Sequence, residues 1–214
     1  MSPSRNVRAY VGLGANVGDA ARTLAAAVEA LHAIPGSRVH AVSRLYATAP
    51  WGVTDQPEFR NAAVSLDVRT DGPDPPAAAL DLLGRLKTLE RRAGRRRGTR
   101  WGPRELDLDL LVFGRHRIDV ERPPPARSLD VERDPAKAAK RLQVPHRDLG
   151  ERLFVLAPLA DLAPRLVPPG WSETVETRRR RVAAADPPDS VRVVGVWDPA
   201  AASWRPSGRG GVSG

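Results

Sequence analysis

The sequence contains no cysteine, and this absence excludes disulfide bonds, zinc sites built from thiolates and a cysteine nucleophile. It has no apolar run near the ~18 residues that a membrane-spanning helix needs. Its N-terminal segment also lacks the continuous apolar stretch of a secretory signal. We therefore expect a cytoplasmic protein with no membrane partner. Aromatic residues are scarce as well, at 5%.

Basic charge is abundant and is concentrated in one segment. The 214-residue chain carries 34 Lys and Arg against 25 Asp and Glu, a net charge of +9, and 41% of its residues are apolar, as in a globular protein. The segment from Glu90 to Arg104 contains seven arginines and one glutamate, so most of the surplus lies there. A basic excess indicates an anionic partner, either a nucleic acid or the phosphates of a nucleotide. Its concentration in one segment favours the nucleotide.

Two aspartates follow this segment at a spacing that suits metal binding. Asp107 and Asp109 lie in LDLDLLVF, which is typical of a strand. Residues two apart on a strand point to the same face, so the carboxylates project side by side while Leu106, Leu108 and Leu110 face the other way. Neighbouring carboxylates repel unless a cation or a shared proton relieves them. Beside an arginine-rich loop, the pair predicts a magnesium-dependent phosphoryl-type transfer from a nucleotide.

The remaining pattern predicts an α+β or an α/β fold. Apolar runs predict strands over 7–13, 38–48 and 61–68. Leucine spacing predicts one helix from Asp19 to Pro35 and a second over 76–93, ended by Gly94. The sequence GANVGD, between the first strand and helix, lacks the lysine of a P-loop and the third glycine of a dinucleotide-binding motif. We interpret it as a structural turn.

Some polar residues have both a structural and a functional interpretation. Asn61 is either a cap or turn residue, or an amide that pairs with the edge of a heterocycle. Trp51 and Phe59 are then either core aromatics or a stacking surface for that heterocycle. Glu90 taken alone is a solvated surface charge, but its helix carries it to the mouth of the arginine loop. His146 is an ordinary histidine or, with arginines nearby, a phosphate contact.

Four motifs give the chain a resemblance to a known family. They are VGLGANVGD, YATAPWGVTDQPEFRNAAV, RWGPRELDLDLLVFG and VPHRDLGERLFVLAPLADLAP. In order and spacing they are similar to those of the 6-hydroxymethyl-7,8-dihydropterin pyrophosphokinase family of folate biosynthesis. The resemblance implies an α+β fold, with helices packed on the faces of a ferredoxin-like antiparallel sheet. The implied reaction transfers diphosphate from ATP to the pterin and releases AMP.

The resemblance also implies roles for individual residues. Asp107 and Asp109 would hold two Mg²⁺ ions, with ATP as co-substrate. Arg95 and Arg104 would bind and stabilise the transferring group. The nucleotide side would further include Glu90, Arg97, Arg100, Trp101, His146 and Arg152. The pterin would contact Asn61 and backbone groups around Ala49, and would stack on Trp51, Phe59 and Phe154.

Two segments lie outside the common pattern. Residues 121–140 read as an insertion in a domain of 1–182, and 183–214 as a Pro-, Gly- and Ala-rich extension in which 191–197 is either an extra strand or a docking segment. We expect both to be peripheral to activity, and the chain to act as a monomer without nucleic acid. The alternative is a basic RNA-binding module on a ferredoxin-like sheet, which requires exposed aromatics on the central strands.

Overall fold

A computed structural model describes residues 5–50, 55–70, 72, 74–94, 102–123, 126 and 141–207. The strands in these ranges are β1 (Arg5–Ala15), β2 (Ser37–Val42), β3 (Leu45–Thr48), β4 (Phe59–Thr70), β5 (Asp107–Phe113), β6 (Ile118–Glu121), β7 (Arg141–Val144), β8 (Val191–Asp198) and β9 (Ser203–Pro206). The helices are α1 (Ala20–His32), α2 (Pro75–Arg92), α3 (Leu153–Leu162) and α4 (Val175–Ala183). No helix in the described part of the chain has the length and apolar character needed to cross a membrane.

The main sheet has ferredoxin-like topology. β1 lies between β4 and β5, while β2 and β3 lie one after the other along the far edge of β4. Because these pairings are antiparallel, β1 and β2 run parallel to each other on either side of β4, and α1 connects them. Helix α2 connects β4 to β5 across β1 in the same way. The implied α+β fold is confirmed.

The prediction of one strand over 38–48 is wrong, because the chain bends between β2 and β3. Ser43 lies at the bend, where its N–H donates to the Ala63 carbonyl at 2.9 Å and its hydroxyl accepts from the Ala63 N–H at 2.8 Å. The hydroxyl thus replaces a main-chain acceptor and keeps the segment attached to β4. The next N–H, that of Arg44, donates instead to the Asp161 carboxylate on α3 at 3.1 Å.

Capping residues set the helix boundaries close to the predicted ones. The Asp19 carboxylate accepts from the Arg22 N–H at 3.0 Å at the start of α1, and that of Asp74 accepts from the Ala77 N–H at 3.3 Å at the start of α2. After α2, Gly94 has a φ of 88°, a left-handed conformation that favours glycine. Both helix predictions are confirmed.

Different helices cover the two faces of the sheet. Helices α1 and α2 pack on one face, where Val11, Leu66 and Leu108 are fully buried. Helix α3 packs on the other face across β4, β1 and β3, and α4 packs on α3. The second core, around Val112 and Leu156, is smaller. We call the first the helix face and the second the site face.

The C-terminal residues extend the main sheet with a hairpin. β8 pairs with β3, and β9 pairs with β8. The rings of Trp197 and Trp204 are 4.7 Å apart between centroids, and the Trp204 indole N–H donates to the Ser43 carbonyl at 2.9 Å. Of the two interpretations of 191–197, the extra strand is confirmed.

Candidate active site

Asp107 and Asp109 project from the site face of β5. Their partners on β1 are Gly14 and Gly12, with no irregularity between the two pairs. The aspartate side chains are 28% and 40% exposed, whereas Leu108 between them is buried against the helix face. The side-by-side arrangement predicted from the spacing is confirmed.

A row across three strands joins the aspartates to Asn61. Gly14 of β1 pairs with Asp107 on one side and with Asn61 of β4 on the other. A Cβ atom at Gly14 would lie 3.2 Å from Asn61 Oδ1 and 4.0 Å from the Cβ of Asp107, so a side chain there would crowd the amide. The Asp107 carboxylate and the Asn61 amide therefore lie two strand spacings apart, about 10 Å. Between them, Gly14 contributes backbone but no side chain.

Two cations lie beside the aspartates. Arg104 Nη1 is 3.3 Å from Asp107 Oδ1, and Lys87 Nζ is 3.9 Å from Asp109 Oδ1. Their positive charge offsets the repulsion between neighbouring carboxylates. The structure thus brings Arg104 to the aspartate pair, and its catalytic role stays a prediction.

A buried ion pair from α2 covers the open edge of β5. Glu90, which is 1% exposed, accepts from Lys87 Nζ at 2.6 Å and from the Leu108 N–H at 2.7 Å. Lys87 Nζ also donates to the Leu108 carbonyl at 2.9 Å. The two side chains therefore occupy the hydrogen-bonding positions of a neighbouring strand and fix the residue between the aspartates. The interpretation of Glu90 as a solvated surface charge is wrong; its contact with a nucleotide stays a prediction.

Asn16, in the GANVGD turn, is a site residue that sequence reasoning missed. It is 2% exposed, and its Oδ1 accepts from the Arg104 N–H at 2.7 Å. Its Nδ2 donates to Gln56 Oε1 at 3.0 Å and to the Pro57 carbonyl at 3.1 Å. One amide therefore ties the Arg104 segment to the segment that precedes β4. Asparagine is also a common turn residue, so the sequence carries no signal that separates this role from an ordinary turn.

The described residues assigned to the pterin lie just after β3, in the first residues of β4 and in the first turn of α3. Asn61 is 6% exposed within β4, and its Nδ2 donates to Thr48 Oγ1 at 2.8 Å. Its interpretation as a cap or turn residue is therefore wrong. Phe59 is half-buried opposite Thr48, Ala49 is exposed just after β3, and Phe154 is half-buried in the first turn of α3. Their contacts with a pterin stay predictions.

Besides Glu90 on α2, the described residues assigned to the nucleotide side are His146 and Arg152, in the loop before α3. The His146 N–H donates to the Leu111 carbonyl of β5 at 2.8 Å, and its Nδ1 accepts from the Asp148 N–H at 3.3 Å. Arg152 Nη2 lies 2.6 Å from Asp148 Oδ2, and its guanidinium carbon lies 5.9 Å from the centroid of the Phe154 ring. Arg152 thus contacts both the loop that carries His146 and Phe154, which is assigned to the pterin. Five assigned residues fall outside the described ranges: Trp51, Arg95, Arg97, Arg100 and Trp101.

Arg122 is a second residue that sequence reasoning did not single out. It belongs to the 121–140 segment, yet it is only 8% exposed. Burial lowers the pKa of the Arg122 guanidinium, while the negative charges of Asp109 and Glu90 oppose that shift. Arg122 is therefore buried within electrostatic reach of Asp109 and Glu90.

The aspartate pair fits magnesium. No group of three or more His, Asp or Glu side chains among the described residues could hold a metal ion. Magnesium does not require one, because it keeps several waters and is bound through one or two carboxylates together with substrate phosphates. Asp107 and Asp109 supply that number of carboxylates on one face.

Fold and site together define a class of protein. Paired carboxylates with neighbouring cations, two strands from a buried amide, suit an enzyme that transfers a phosphoryl-type group from a nucleotide to a heterocycle. The family model described as 7,8-dihydro-6-hydroxymethylpterin-pyrophosphokinase (HPPK) matches residues 10–164. The chain belongs to this family, and the resemblance carried by the four motifs is confirmed.

Curated relatives and solved structures agree with this assignment. The chain is 42% identical to a 2-amino-4-hydroxy-6-hydroxymethyldihydropteridine pyrophosphokinase of Methylorubrum extorquens over 186 residues, which are 87% of this chain and 98% of the relative. It is 41% identical to the enzyme of the same name from Pseudomonas aeruginosa over 159 residues, 74% of this chain and 82% of the relative. The HPPK-DHPS structure of Plasmodium falciparum with pterin and p-hydroxybenzoate matches with a TM-score of 0.68 and 15% identity. The match covers 92% of this chain and 48% of that one, and it supports the fold alone.

Proposed function

We propose that this chain transfers the terminal diphosphate of ATP to the hydroxymethyl oxygen of 6-hydroxymethyl-7,8-dihydropterin. The observation that carries the proposal is the row of Asp107, Gly14 and Asn61 across three strands. It places carboxylates suited to metal-bound phosphates about 10 Å from an amide suited to a heterocycle. Family membership and the names of the relatives support the same reaction.

The reaction forms one bond and breaks another. The hydroxymethyl oxygen attacks the β-phosphorus of ATP, and the bond from that phosphorus to the oxygen retained by AMP breaks. The hydroxyl proton is released, and the diphosphate ends on the pterin. Magnesium held by Asp107 and Asp109 would supply positive charge to the phosphates. Arg104 lies beside Asp107 and would hold a fixed cation where the transferring group carries its negative charge.

Asn61 would fix the orientation of the pterin. Its Nδ2 is held by Thr48, so the carbonyl oxygen of the amide is presented in one direction and would accept from the pterin edge. Phe59 and Phe154, with Trp51, would stack on the ring, and backbone groups around Ala49 would add hydrogen bonds. A pre-oriented amide lowers the entropic cost of binding a rigid heterocycle.

The remaining assigned residues would bind the nucleotide. Arginine cations form charge-assisted hydrogen bonds with phosphate oxygens, the His146 ring would add a hydrogen bond, and the Trp101 ring would contact the nucleotide. We assign to this side Glu90, Arg97, Arg100, Trp101, His146 and Arg152, while Arg95 would join Arg104 in binding and stabilising the transferring group.

The test is AMP formation from ATP by the purified full chain. We expect AMP only when the hydroxymethyl dihydropterin and magnesium are both present, and none with a pterin that lacks the hydroxymethyl group. Absence of AMP with all components present would refute the proposal. RNA binding at low salt without nucleotide turnover would support the RNA-binding alternative, which the aspartates on the site face of β5 disfavour. The expected monomer is checked by sedimentation of the same sample.

A further inference from the structure

The C-terminal hairpin lies outside the 10–164 family match and contacts the segment that leads into β4. Arg192 of β8 is paired with Ala47 of β3, which is paired in turn with Arg60 of β4. Arg192 and Arg60 therefore lie in one row across the sheet, on the face opposite Asn61. The hairpin is fixed on the sheet by its ladder with β3 and by the bond from the Trp204 indole to the Ser43 carbonyl.

Glu58 is bound by both arginines of this row. Arg192 Nη2 lies 2.5 Å and 2.7 Å from the two carboxylate oxygens of Glu58, and Arg60 Nη1 lies 3.3 Å from one of them. Hydrogen bonding by Arg192, followed by that of Arg60, lowers the pKa of the Glu58 carboxyl below its ordinary value. The two arginines thus favour the ionised form of Glu58.

The segment from Gln56 to Glu58 is held at two points. Asn16 binds the side chain of Gln56 and the carbonyl of Pro57, and Arg192 binds Glu58. Phe59 follows immediately, so displacement of the Glu58 backbone displaces Phe59. The first attachment comes from the N-terminal turn, and the second comes from the C-terminal hairpin.

Contrary to the expectation that 183–214 is peripheral to activity, we propose that Arg192 is a positioning residue for the pterin half of the site, acting through Glu58. The inference rests on the proposed function, because Phe59 and Asn61 are assigned to the pterin there. Arg192 and Glu58 side chains are 36% and 40% exposed, and ion pairs of such exposure contribute little to global stability. Loss of the pair therefore loosens the segment before β4 without unfolding the sheet.

The experiment compares three variants of the full chain. Arg192→Glu places a carboxylate against Glu58, whereas Arg192→Lys keeps a cation there. Arg205→Glu is the matched control, because Arg205 pairs with Asp198 within the same hairpin at 3.2 Å and changes the net charge equally. Equilibrium binding of the dihydropterin, followed by its fluorescence in the presence of a nonhydrolysable ATP analogue, is measured together with both KM values.

We expect Arg192→Glu to weaken pterin binding and raise the KM for the pterin by roughly three- to tenfold. The KM for ATP should change less than about twofold, and the melting temperature should stay within a few degrees. Arg192→Lys should retain most of the binding, and Arg205→Glu should match the wild type.

Unchanged pterin binding in Arg192→Glu, with an active wild type, would overturn the inference. So would an equal loss for both substrates accompanied by a lower melting temperature, since that describes a purely structural role. A wild type that forms no AMP would refute the proposed function instead, and pterin binding would then decide the inference by itself.

Discussion

The two faces of the main sheet use the same strands for different purposes. The helix face is covered by α1 and α2, and Val11, Leu66 and Leu108 are fully buried there. On the site face, α3 covers only part of the same strands, and Asp107 and Asp109 remain partly exposed. Successive residues of a strand alternate between faces. Side chains that stabilise the core and side chains that belong to the candidate site therefore occupy alternate positions of the same strand. Substitutions on opposite faces should therefore separate the two properties.

The largest effect is expected on the site face. Asp107→Ala or Asp109→Ala removes a carboxylate that would hold metal charge at the transferring group, and we expect turnover to fall by orders of magnitude. The melting temperature should change by only a few degrees, because neither side chain belongs to a core. AMP formation and thermal unfolding are measured on the same samples.

Asp67→Ala is the matched control for both aspartates. Asp67 lies on β4, is 29% exposed and pairs with Arg8 at 2.7 Å. It faces no assigned site residue, so its loss should leave turnover near that of the wild type. Near-normal rates in Asp107→Ala or Asp109→Ala would contradict the metal assignment.

The converse effect is expected on the helix face. Leu66→Ala removes a fully buried side chain of β4 and should lower the free energy of unfolding by about 3 kcal/mol, from lost transfer energy and a residual cavity. Turnover per folded molecule should stay within about twofold well below the melting temperature. A large loss of turnover in protein that remains folded would show that the two faces are not separable.

A substitution of Asn16, which joins the Arg104 segment to the segment before β4, should affect stability and activity moderately. Asn16→Ala removes the part-buried hydrogen bonds of the Asn16 amide to the Arg104 N–H and to the Pro57 carbonyl, which we expect to cost about 1–2 kcal/mol in urea unfolding. The KM values for ATP and for the pterin should both rise, since the Asn16 amide joins the segment that carries Arg104 to the segment that precedes Phe59. Asn6→Ala, at the exposed start of β1, is the control. A rise confined to one substrate would contradict the bridging role.

The smallest effect concerns α4, the outer layer of the site face. Hydrogen bonding by Arg179, followed by that of Arg180, lowers the pKa of Glu176 from 4.5 to about 2. A carboxyl group whose pKa is lowered by folding stabilises the protein above its unfolded pKa, and that contribution is lost as the pH falls from 4.5 toward 2. Since the Glu176 side chain is partly exposed and its partner Arg180 is 74% exposed, we expect less than about 1 kcal/mol.

The measurement compares wild type and Glu176→Gln by urea unfolding near neutral pH and again at low pH. The wild type should be slightly more stable near neutrality, and the difference should shrink as the carboxylate is protonated. A difference that grows on acidification would contradict the sign of this linkage.

The sequence was sufficient to predict those parts of the site that depend on the local pattern of residues. The alternation of LDLDLL places the two aspartates on one face and the leucines on the other, and the structure agrees. The break at Ser43, the burial of Glu90 and the role of Asn16 were not predicted. Each depends on a partner outside its own element: Ser43 binds a residue 20 positions away, Glu90 one 18 away and Asn16 one 88 away.

The sequence by itself determined which side chains share a face, because the two-residue repeat of a strand is a property of the local backbone. Only the tertiary structure decided which residues lie opposite one another. The register of β1 against β4 and β5 places Gly14 between Asp107 and Asn61, and that register follows from the packing of the whole sheet on its helices. The two aspartates and Asn61 could therefore each be predicted from the sequence as candidate site residues. The distance between them is a property of the folded chain.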